Sequence, residues 1–211
     1  MTSPKPNNLG GNDPAALLPT AGQVRTLADL VEHAEFYAGF CMRMSGSLPP
    51  TLFIIGADGS HVLSPERLTN LPDKNFFADV ARLFCIGHDA RLVVMASEAW
   101  AVLPKPGEPL DPMKPPSESP DRQEIVLVIG EERGAQKGVV LPIIRAKSGE
   151  FERFGANQAL EFDSMKGRFA QFLSAEQPSA EQRAEAINLL RAIGIEPKPQ
   201  TISPRTAKYR M

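Results

Sequence analysis

Four acidic residues border one almost wholly apolar segment of the sequence, IVLVIG: Asp121, Glu124, Glu131 and Glu132. Carboxylate oxygens are the ligands with which hydrolytic enzymes hold Mg²⁺ and similar ions. Glu98 lies in the preceding apolar segment and is a further carboxylate for such a site. A divergent metal-dependent nuclease or hydrolase is therefore one hypothesis, and it requires these carboxylates to converge in the fold.

The sequence around Asp121 resembles the motifs of two enzyme families. Pro120-Asp121 before an apolar strand resembles the PD-(D/E)xK nucleases, whose lysine stands two residues after the second carboxylate, but Arg133 holds that position here. Arginine is permanently charged and replaces a tunable lysine poorly. The order Glu98, Ser117, Asp121 is similar to that of the JAMM metalloproteases, but the HxH pair of that family is absent. An enzyme is therefore the alternative hypothesis, and no catalytic residue is assigned.

The sequence contains no recognisable motif for a metal or a cofactor. Its three histidines, His33, His61 and His88, do not stand at ligand spacing, and no CxxC is present, so we expect no metal site. His88 follows a helix-ending glycine, where its ring could meet the last helix carbonyls. The phosphate-binding patterns GxxxxGK(S/T) and GxGxxG and the GxSxG nucleophile motif are also missing. We therefore expect no cofactor and no acyl-transfer chemistry.

A proline-rich segment precedes Asp121 and favours a binding function. Residues 104 to 120 contain seven prolines, which exclude a helix interior and predict an extended surface loop. A stiff loop beside a rigid sheet loses little entropy on docking, and such loops often carry recognition. The leading hypothesis is a non-enzymatic protein that binds another protein through this loop and the charged strand ends. The predicted contact residues are Glu118, Asp121, Arg122, Glu131, Glu132 and Arg133.

The stretch PPSESPDRQE, residues 115 to 124, also fits an ordered turn with a purely structural role. Asp121 can bond the backbone two residues further on, as aspartate commonly does in turns. Arg122 can pair with Glu98 or Glu124 across a strand end. The structural turn and the docking surface both stay open on the sequence.

SEAW, the proline-rich loop, PSxxPDRQE and EERG together resemble uncharacterised accessory proteins of bacterial plasmids, integrative elements and phages. The resemblance covers residues 91 to 134, about a fifth of the chain. It implies no particular biochemical activity. It implies a setting in which such proteins bind host or rival machinery, as fertility-inhibition factors do when they block conjugation of another plasmid, or as anti-defence proteins do.

Apolar periodicity predicts the elements that must position these residues. The expected fold is α+β, a mixed, mostly antiparallel sheet of about five to seven strands with helices packed before and after it. Trp100, the only tryptophan, is predicted as a core anchor of its strand. Helices are predicted at 24–44, 73–86, 165–173 and 179–193. Strands are predicted at 51–63, 91–103, 124–134, 137–146 and 150–162. Residues 51–63 are expected to form a hairpin that turns at Asp58-Gly59, and residues 124–146 a second hairpin with Pro142 at a bulge or an edge.

Length and composition predict a single globular domain. With 211 residues and 42% hydrophobic content, the chain can bury one core, which we place at residues 21–195. Residues 1–20 are predicted to be a disordered arm and residues 196–211 a flexible, mildly basic tail. A third hypothesis is a nucleic-acid-binding regulator, but the net charge of −2 disfavours it. The few cations of the tail would bind weakly: Lys198, Arg205, Lys208 and Arg210.

The sequence predicts a cytoplasmic protein without membrane insertion. No apolar run approaches the roughly 20 residues that span a bilayer. The first residues lack the basic start and apolar stretch of a secretory signal. Cys41 and Cys85 stand singly on apolar helix faces and are expected to be buried, reduced thiols.

Overall fold

The computed structural model describes residues 24–65, 68–102, 116–160 and 167–195. The predicted arm, the predicted tail and most of the proline-rich loop lie outside the described residues. In chain order the elements are α1 (Leu27–Ser45), β1 (Thr51–Gly56), β2 (Gly59–Leu63), α2 (Leu71–Gly87), β3 (Leu92–Ala101), a 3-10 helix (Pro116–Glu118), β4 (Gln123–Glu132), β5 (Ala135–Arg145), β6 (Phe151–Phe154), β7 (Gln158–Leu160) and α3 (Ala180–Ala192).

The seven described strands form one sheet in the order β2-β1-β3-β4-β5-β6, and β7 also pairs with β5. Every pair is antiparallel. The long strands β3 and β4 pair along their whole length, from Leu92 opposite Glu132 to Ala101 opposite Gln123. The α+β prediction, with a mostly antiparallel sheet of five to seven strands, is confirmed.

Helices cover both faces of the sheet. The apolar side of α1 packs on one face against β1, β3, β4 and β5, and α2 and α3 pack on the other face against β1 and β3. Gly130 of β4 lies under α1, and a Cβ at this position would come within 2.9 Å of side-chain atoms of Leu27 and Val31. Glycine therefore permits the close contact between helix and strand. The arrangement is a three-layer one, with the sheet between α1 and the α2–α3 pair.

Capping side chains set the helix boundaries. Ser179 and Gln182 form a capping box at the start of α3. Helix α2 begins earlier than predicted, because Asn70 rather than Asp73 is its N-cap, and Asn70 Oδ1 accepts the Asp73 N–H at 2.8 Å. Phe76 of α2 is 57% exposed, whereas the adjacent Phe77 is buried. Of the described helices, none combines the length and apolar character needed to cross a bilayer.

Both predicted hairpins are present, as β1–β2 and β4–β5. The single strand predicted for residues 150–162 is instead two strands, β6 and β7, which pair with different parts of β5. Pro142 lies where β5 changes from one partner to the other, so its missing N–H is tolerated, and its carbonyl accepts the Gly155 N–H at 2.7 Å. It marks neither a sheet edge nor the bulge, which lies at Ile144 and Arg145.

The apolar stripe from Met165 to Leu173 does not form the predicted helix where it is described. From residue 167 onward the chain makes turns and bends, with Gln171 at a positive φ of 59°. Phe172 is nonetheless buried against α2 and α3. The apolar residues of the stripe have helical spacing, but its described part is an irregular segment that buries Phe172 without forming a helix.

Cys41 and Cys85 are free thiols on different helices, as expected. Cys85 is buried in α2, and burial strongly raises the pKa of its thiol. Cys41 is half-buried, and burial raises its pKa as well. Because the thiolate is the nucleophilic form, neither cysteine is activated for catalysis.

Candidate functional site

The acidic residues singled out in the sequence lie at opposite ends of β4. Glu124 is near the start of the strand and Glu131 near its end, which separates them by about 23 Å at 3.3 Å per residue. Asp121 precedes the start and cannot meet Glu131. We call residues 121–124 the outer end of β4 and residues 131–133 the inner end. The described carboxylates therefore do not converge as the hydrolase hypothesis requires.

Glu131 at the inner end is buried and serves the fold. Its carboxylate accepts the backbone N–H groups of Gln171 at 2.6 Å, Phe172 at 2.8 Å and Leu173 at 3.2 Å. Burial raises the pKa of Glu131 above its ordinary value, although the three N–H donors favour the charged form. Its side chain therefore lies inside the domain, and the prediction that Glu131 is a surface contact residue is wrong. The neighbouring Glu132 is exposed.

Arg133 at the inner end is held by an acidic residue that the sequence analysis did not single out. Asp89, which follows α2, accepts hydrogen bonds from Arg133 at 3.0 Å, Arg183 at 3.1 Å and Gln177 at 2.8 Å. Burial opposes the charged form, but the Gln177 hydrogen bond and the two guanidinium groups outweigh it and hold the pKa of Asp89 below its usual range. Asp89 thus ties α2 to the β4–β5 turn and to α3.

The outer end presents Trp100 to solvent. This side chain is 47% exposed, although strand alternation places it on the same face as Leu92 and Val94, which lie under α1. The continuously buried part of β3 ends at Ala96, before the tryptophan. The Arg122 guanidinium lies over the indole ring, 4.8 Å from its centroid. The predicted core anchor is therefore a surface residue, because its strand continues past the buried part of the sheet.

Next to the tryptophan, Glu124 forms an ion pair with Arg145 of β5. Arg145 Nε donates to Glu124 Oε2 at 2.6 Å, and Nη2 donates to Oε1, so the pair has two points of contact. The hydrogen bonds lower the pKa of Glu124 and raise the pKa of Arg145. Glu98 accepts the Leu48 N–H. Glu98 and Glu124 therefore each have a hydrogen-bonding partner in the fold.

The segment that leads into the outer end is an ordered turn. Pro116–Glu118 is a 3-10 helix, and the Asp121 N–H donates to Ser119 Oγ at 3.3 Å. Glu118 and Asp121 are nevertheless exposed. A structural turn and a charged surface therefore coexist here, and the two interpretations of PPSESPDRQE do not exclude each other.

A second group of chemically versatile side chains lies at the β1–β2 turn. Asp58 of the turn is hydrogen-bonded to His61 Nε2 at 2.9 Å through Oδ1 and to His88 Nδ1 at 2.7 Å through Oδ2. Both imidazoles are buried, whereas the Asp58 side chain is 45% exposed. One ligand atom from each of the three residues lies within 4.8 Å of the others. The spacing of the histidines gave no sign of a metal site, yet the fold brings two of them to one carboxylate.

The two rings of this cluster have an apolar neighbour. Phe84 stacks on His88 with ring centroids 4.2 Å apart, and His61 meets Phe84 edge-on at 5.1 Å. Burial lowers the pKa of His88, although Asp58 opposes the shift. Burial also opposes ionisation of Asp58, but its hydrogen bonds with the two histidines outweigh that effect and its pKa is lowered. A neutral imidazole and a carboxylate are the protonation states in which these side chains bind metal ions.

The chain matches no protein-family model, and no curated protein or solved structure is significantly similar to it. Two regions are candidates for a functional site: the outer end of β4 with Trp100, and the Asp58–His61–His88 cluster. The single tryptophan of the chain, Trp100, was the sequence signal for the first region, but no linear signal joined the members of the second.

Proposed function

We propose that this chain is a non-enzymatic protein that binds another protein through the exposed surface at the outer end of β4. We call this the Trp100 surface and define it by Trp100, Glu118, Asp121 and Arg122. The proposal rests on the 47% exposure of Trp100, which lies under the Arg122 guanidinium in a strand that is otherwise largely buried. Tryptophan and arginine supply a disproportionate share of the binding energy at protein interfaces.

The charges around the indole indicate what kind of partner fits. Glu118 and Asp121 are exposed in the segment that leads into the outer end of β4, so they favour a partner with basic residues around an apolar pocket. The pocket would receive the indole, which buries a large area with few rotatable bonds. The Glu124–Arg145 ion pair fixes the adjacent strand ends, and a fixed surface loses less entropy on binding.

The inner end of β4 contributes little to this interface. Glu131 and Arg133 are engaged inside the domain, with backbone N–H groups and with Asp89. Glu132 is exposed but lies about 26 Å along the strand from Glu124 at the outer end. The contact surface we propose is therefore centred on Trp100 and uses three of the six charged residues expected from the sequence.

The resemblance of SEAW and PSxxPDRQE to accessory proteins of bacterial mobile elements supports a partner in host or rival machinery. Components of conjugation or of antiviral defence fit that setting. We infer that the protein acts in the cytoplasm, where Cys41 and Cys85 remain free thiols. Its action would be to inhibit or modulate that machinery by occupying one of its surfaces.

The test is capture of the partner from cells that hold a conjugative plasmid, followed by affinity measurement with the purified partner. Trp100→Ala and the double variant Asp121→Arg, Arg122→Glu are expected to weaken binding at least about thirtyfold, as the loss of a hot-spot residue does. Phe36→Ala is the matched control, because Phe36 is another exposed aromatic residue, 57% exposed, on α1. It is expected to bind as the unmodified chain does.

Retained affinity in both Trp100→Ala and the charge-reversed variant would contradict the proposal, provided the variants are folded. Equal loss in Phe36→Ala would place the contact elsewhere and would contradict it as well. A conjugation-inhibition assay with the same three variants connects binding to the activity in cells.

A further inference from the structure

The Asp58–His61–His88 cluster is a set of metal-ligand side chains that the proposed function does not use. Its members come from the β1–β2 turn, from β2 and from the residue that follows α2. The described chain buries four polar or charged side chains, and two of them are these imidazoles. Because buried polar groups are costly unless they are bonded, their convergence on one half-exposed carboxylate requires a physical reason.

The backbone holds the three side chains in a fixed arrangement. A Cβ at Gly56 would come within 2.6 Å of the His88 carbonyl oxygen and 3.0 Å of Asp58 Oδ1, so only glycine allows this approach. The Ala57 N–H donates to the same carbonyl at 2.9 Å. The turn is therefore joined directly to the end of α2. Ligands placed by such joined regular elements are positioned more precisely than ligands on long loops.

We propose that Asp58, His61 and His88 bind one divalent transition-metal ion of the zinc class. Two imidazole nitrogens and one carboxylate oxygen form a typical three-residue zinc site, whereas Mg²⁺ and Ca²⁺ prefer oxygen ligands alone. The ion takes the place of the protons that link His61 Nε2 and His88 Nδ1 to the carboxylate. Tetrahedral ligands at about 2.1 Å from zinc lie about 3.4 Å apart, so ligand atoms within 4.8 Å of one another need only small rotations.

The far nitrogens of both rings bear on this exchange. His61 Nδ1 and His88 Nε2 are buried and have no hydrogen-bond partner. Each of these nitrogens is an unpaired acceptor when a proton lies between its ring and Asp58. Each is an unpaired donor when a metal ion replaces that proton. Both forms leave two buried polar atoms unpaired, so this cost does not favour either one. The stacked Phe84 ring restrains His88, a task that a second hydrogen bond performs in other metal sites.

Three protein ligands leave one position of a tetrahedral ion for a water molecule. Asp58 is the half-exposed member of the cluster, so solvent reaches the ion from its side. The bound ion joins the β1–β2 hairpin to the end of α2. Because the ion binds the folded state, the melting temperature rises with the concentration of free metal.

The test uses the full chain without an affinity tag, stripped of metal with a chelator and titrated with Co²⁺. One Co²⁺ per chain is expected, with the visible absorption of a tetrahedral site, and Zn²⁺ should abolish that absorption by displacement. Asp58→Asn and His88→Gln are each expected to weaken binding at least about tenfold. His33→Gln is the matched control, because His33 is the one histidine of the chain outside the cluster, and its affinity should be unchanged.

Absence of stoichiometric Co²⁺ and Zn²⁺ binding to the folded chain overturns the proposal. Binding that survives in both Asp58→Asn and His88→Gln, or that His33→Gln weakens as much, overturns it too. Asp58 is half exposed, so Asp58→Asn is expected to fold even where a buried histidine variant does not. A zinc-dependent rise in melting temperature in the unmodified chain, absent in Asp58→Asn, is the second readout.

Discussion

The inner and outer ends of β4 carry the same kinds of charged residue but lie in opposite surroundings. At the inner end, Glu131 is buried on three backbone N–H groups, and Arg133 is held in an internal ion pair. At the outer end, Asp121 and Arg122 stay at the surface beside the half-exposed Trp100. The segment that precedes α3 passes over the inner end, whereas a short exposed turn leads into the outer one.

A charged strand end therefore either stabilises the fold or offers a binding surface, depending on whether another segment packs across it. The inner end is an anchor, because its carboxylate replaces the hydrogen bonds that an irregular segment cannot make with itself. The outer end has the composition of an interface centre, with tryptophan and arginine in contact. Substitutions at the inner end should therefore change stability, and substitutions at the outer end should change binding.

The largest effect on stability is expected from Glu131→Ala. The substitution leaves the N–H groups of residues 171–173 without their acceptor, which should lower the free energy of unfolding by about 3 to 5 kcal/mol. Glu132→Ala, the exposed neighbour, should change it by less than about 0.5 kcal/mol. Urea unfolding curves measure both. Similar losses in the two variants would show that the inner end is not an anchor.

Asp89→Asn is expected to have the next largest effect, about 1 to 3 kcal/mol at neutral pH, because it weakens two ion pairs. The folded-state pKa of Asp89 is lowered, so its stabilising contribution is fully present above the ordinary value of 3.8 and is lost as the pH falls through the lowered folded value. The difference between the unmodified chain and Asp89→Asn should therefore shrink in acid. Unfolding curves from neutral pH downward test this, and a difference that grows in acid would refute it.

Glu124→Gln at the outer end should cost less, about 0.5 to 1.5 kcal/mol, because the Glu124–Arg145 pair is partly exposed to solvent. Raised salt should reduce the difference from the unmodified chain. Thermal unfolding at low and high ionic strength measures it. A loss as large as that of Glu131→Ala would mean that both ends anchor the fold.

Trp100→Ala should have the smallest effect on stability and the largest on binding. Its side chain is about half exposed, so truncation should change the free energy of unfolding by less than about 1 kcal/mol. Unfolding curves and the affinity for the captured partner, measured on the same sample, separate the two effects. Severe destabilisation without a specific loss of binding would make Trp100 the core anchor that the sequence suggested.

The larger features of the fold follow from local patterns in the sequence. The α+β class, the helix of residues 24–44 and both hairpins were predictable, because apolar periodicity and turn residues are local signals. The stripe that ends at Leu173 was wrongly predicted as a helix: from residue 167 onward the chain is irregular, and its Leu173 N–H bonds to Glu131. That bond joins residues far apart in the chain, and no local pattern announces it.

The candidate sites were also predicted only as far as local sequence signals reach. The Trp100 surface was half predicted: the charged residues were named, but the tryptophan was placed in the core because the sequence does not show where the buried part of β3 ends. The Asp58–His61–His88 cluster was missed, because it depends on where α2 packs against the β1–β2 turn. Histidine spacing identifies metal sites only when the ligands share one local element.

Fluorescence quenching of Trp100, the only tryptophan of the chain, tests whether the outer end of β4 is the binding surface. Acrylamide quenching is measured on the folded protein alone, on the unfolded protein, and on the complex with the captured partner. We predict ready quenching in the free folded protein and strong protection in the complex. A tryptophan already shielded in the free protein, or one quenched equally in the complex, would contradict the assignment of the outer end of β4 as the binding surface.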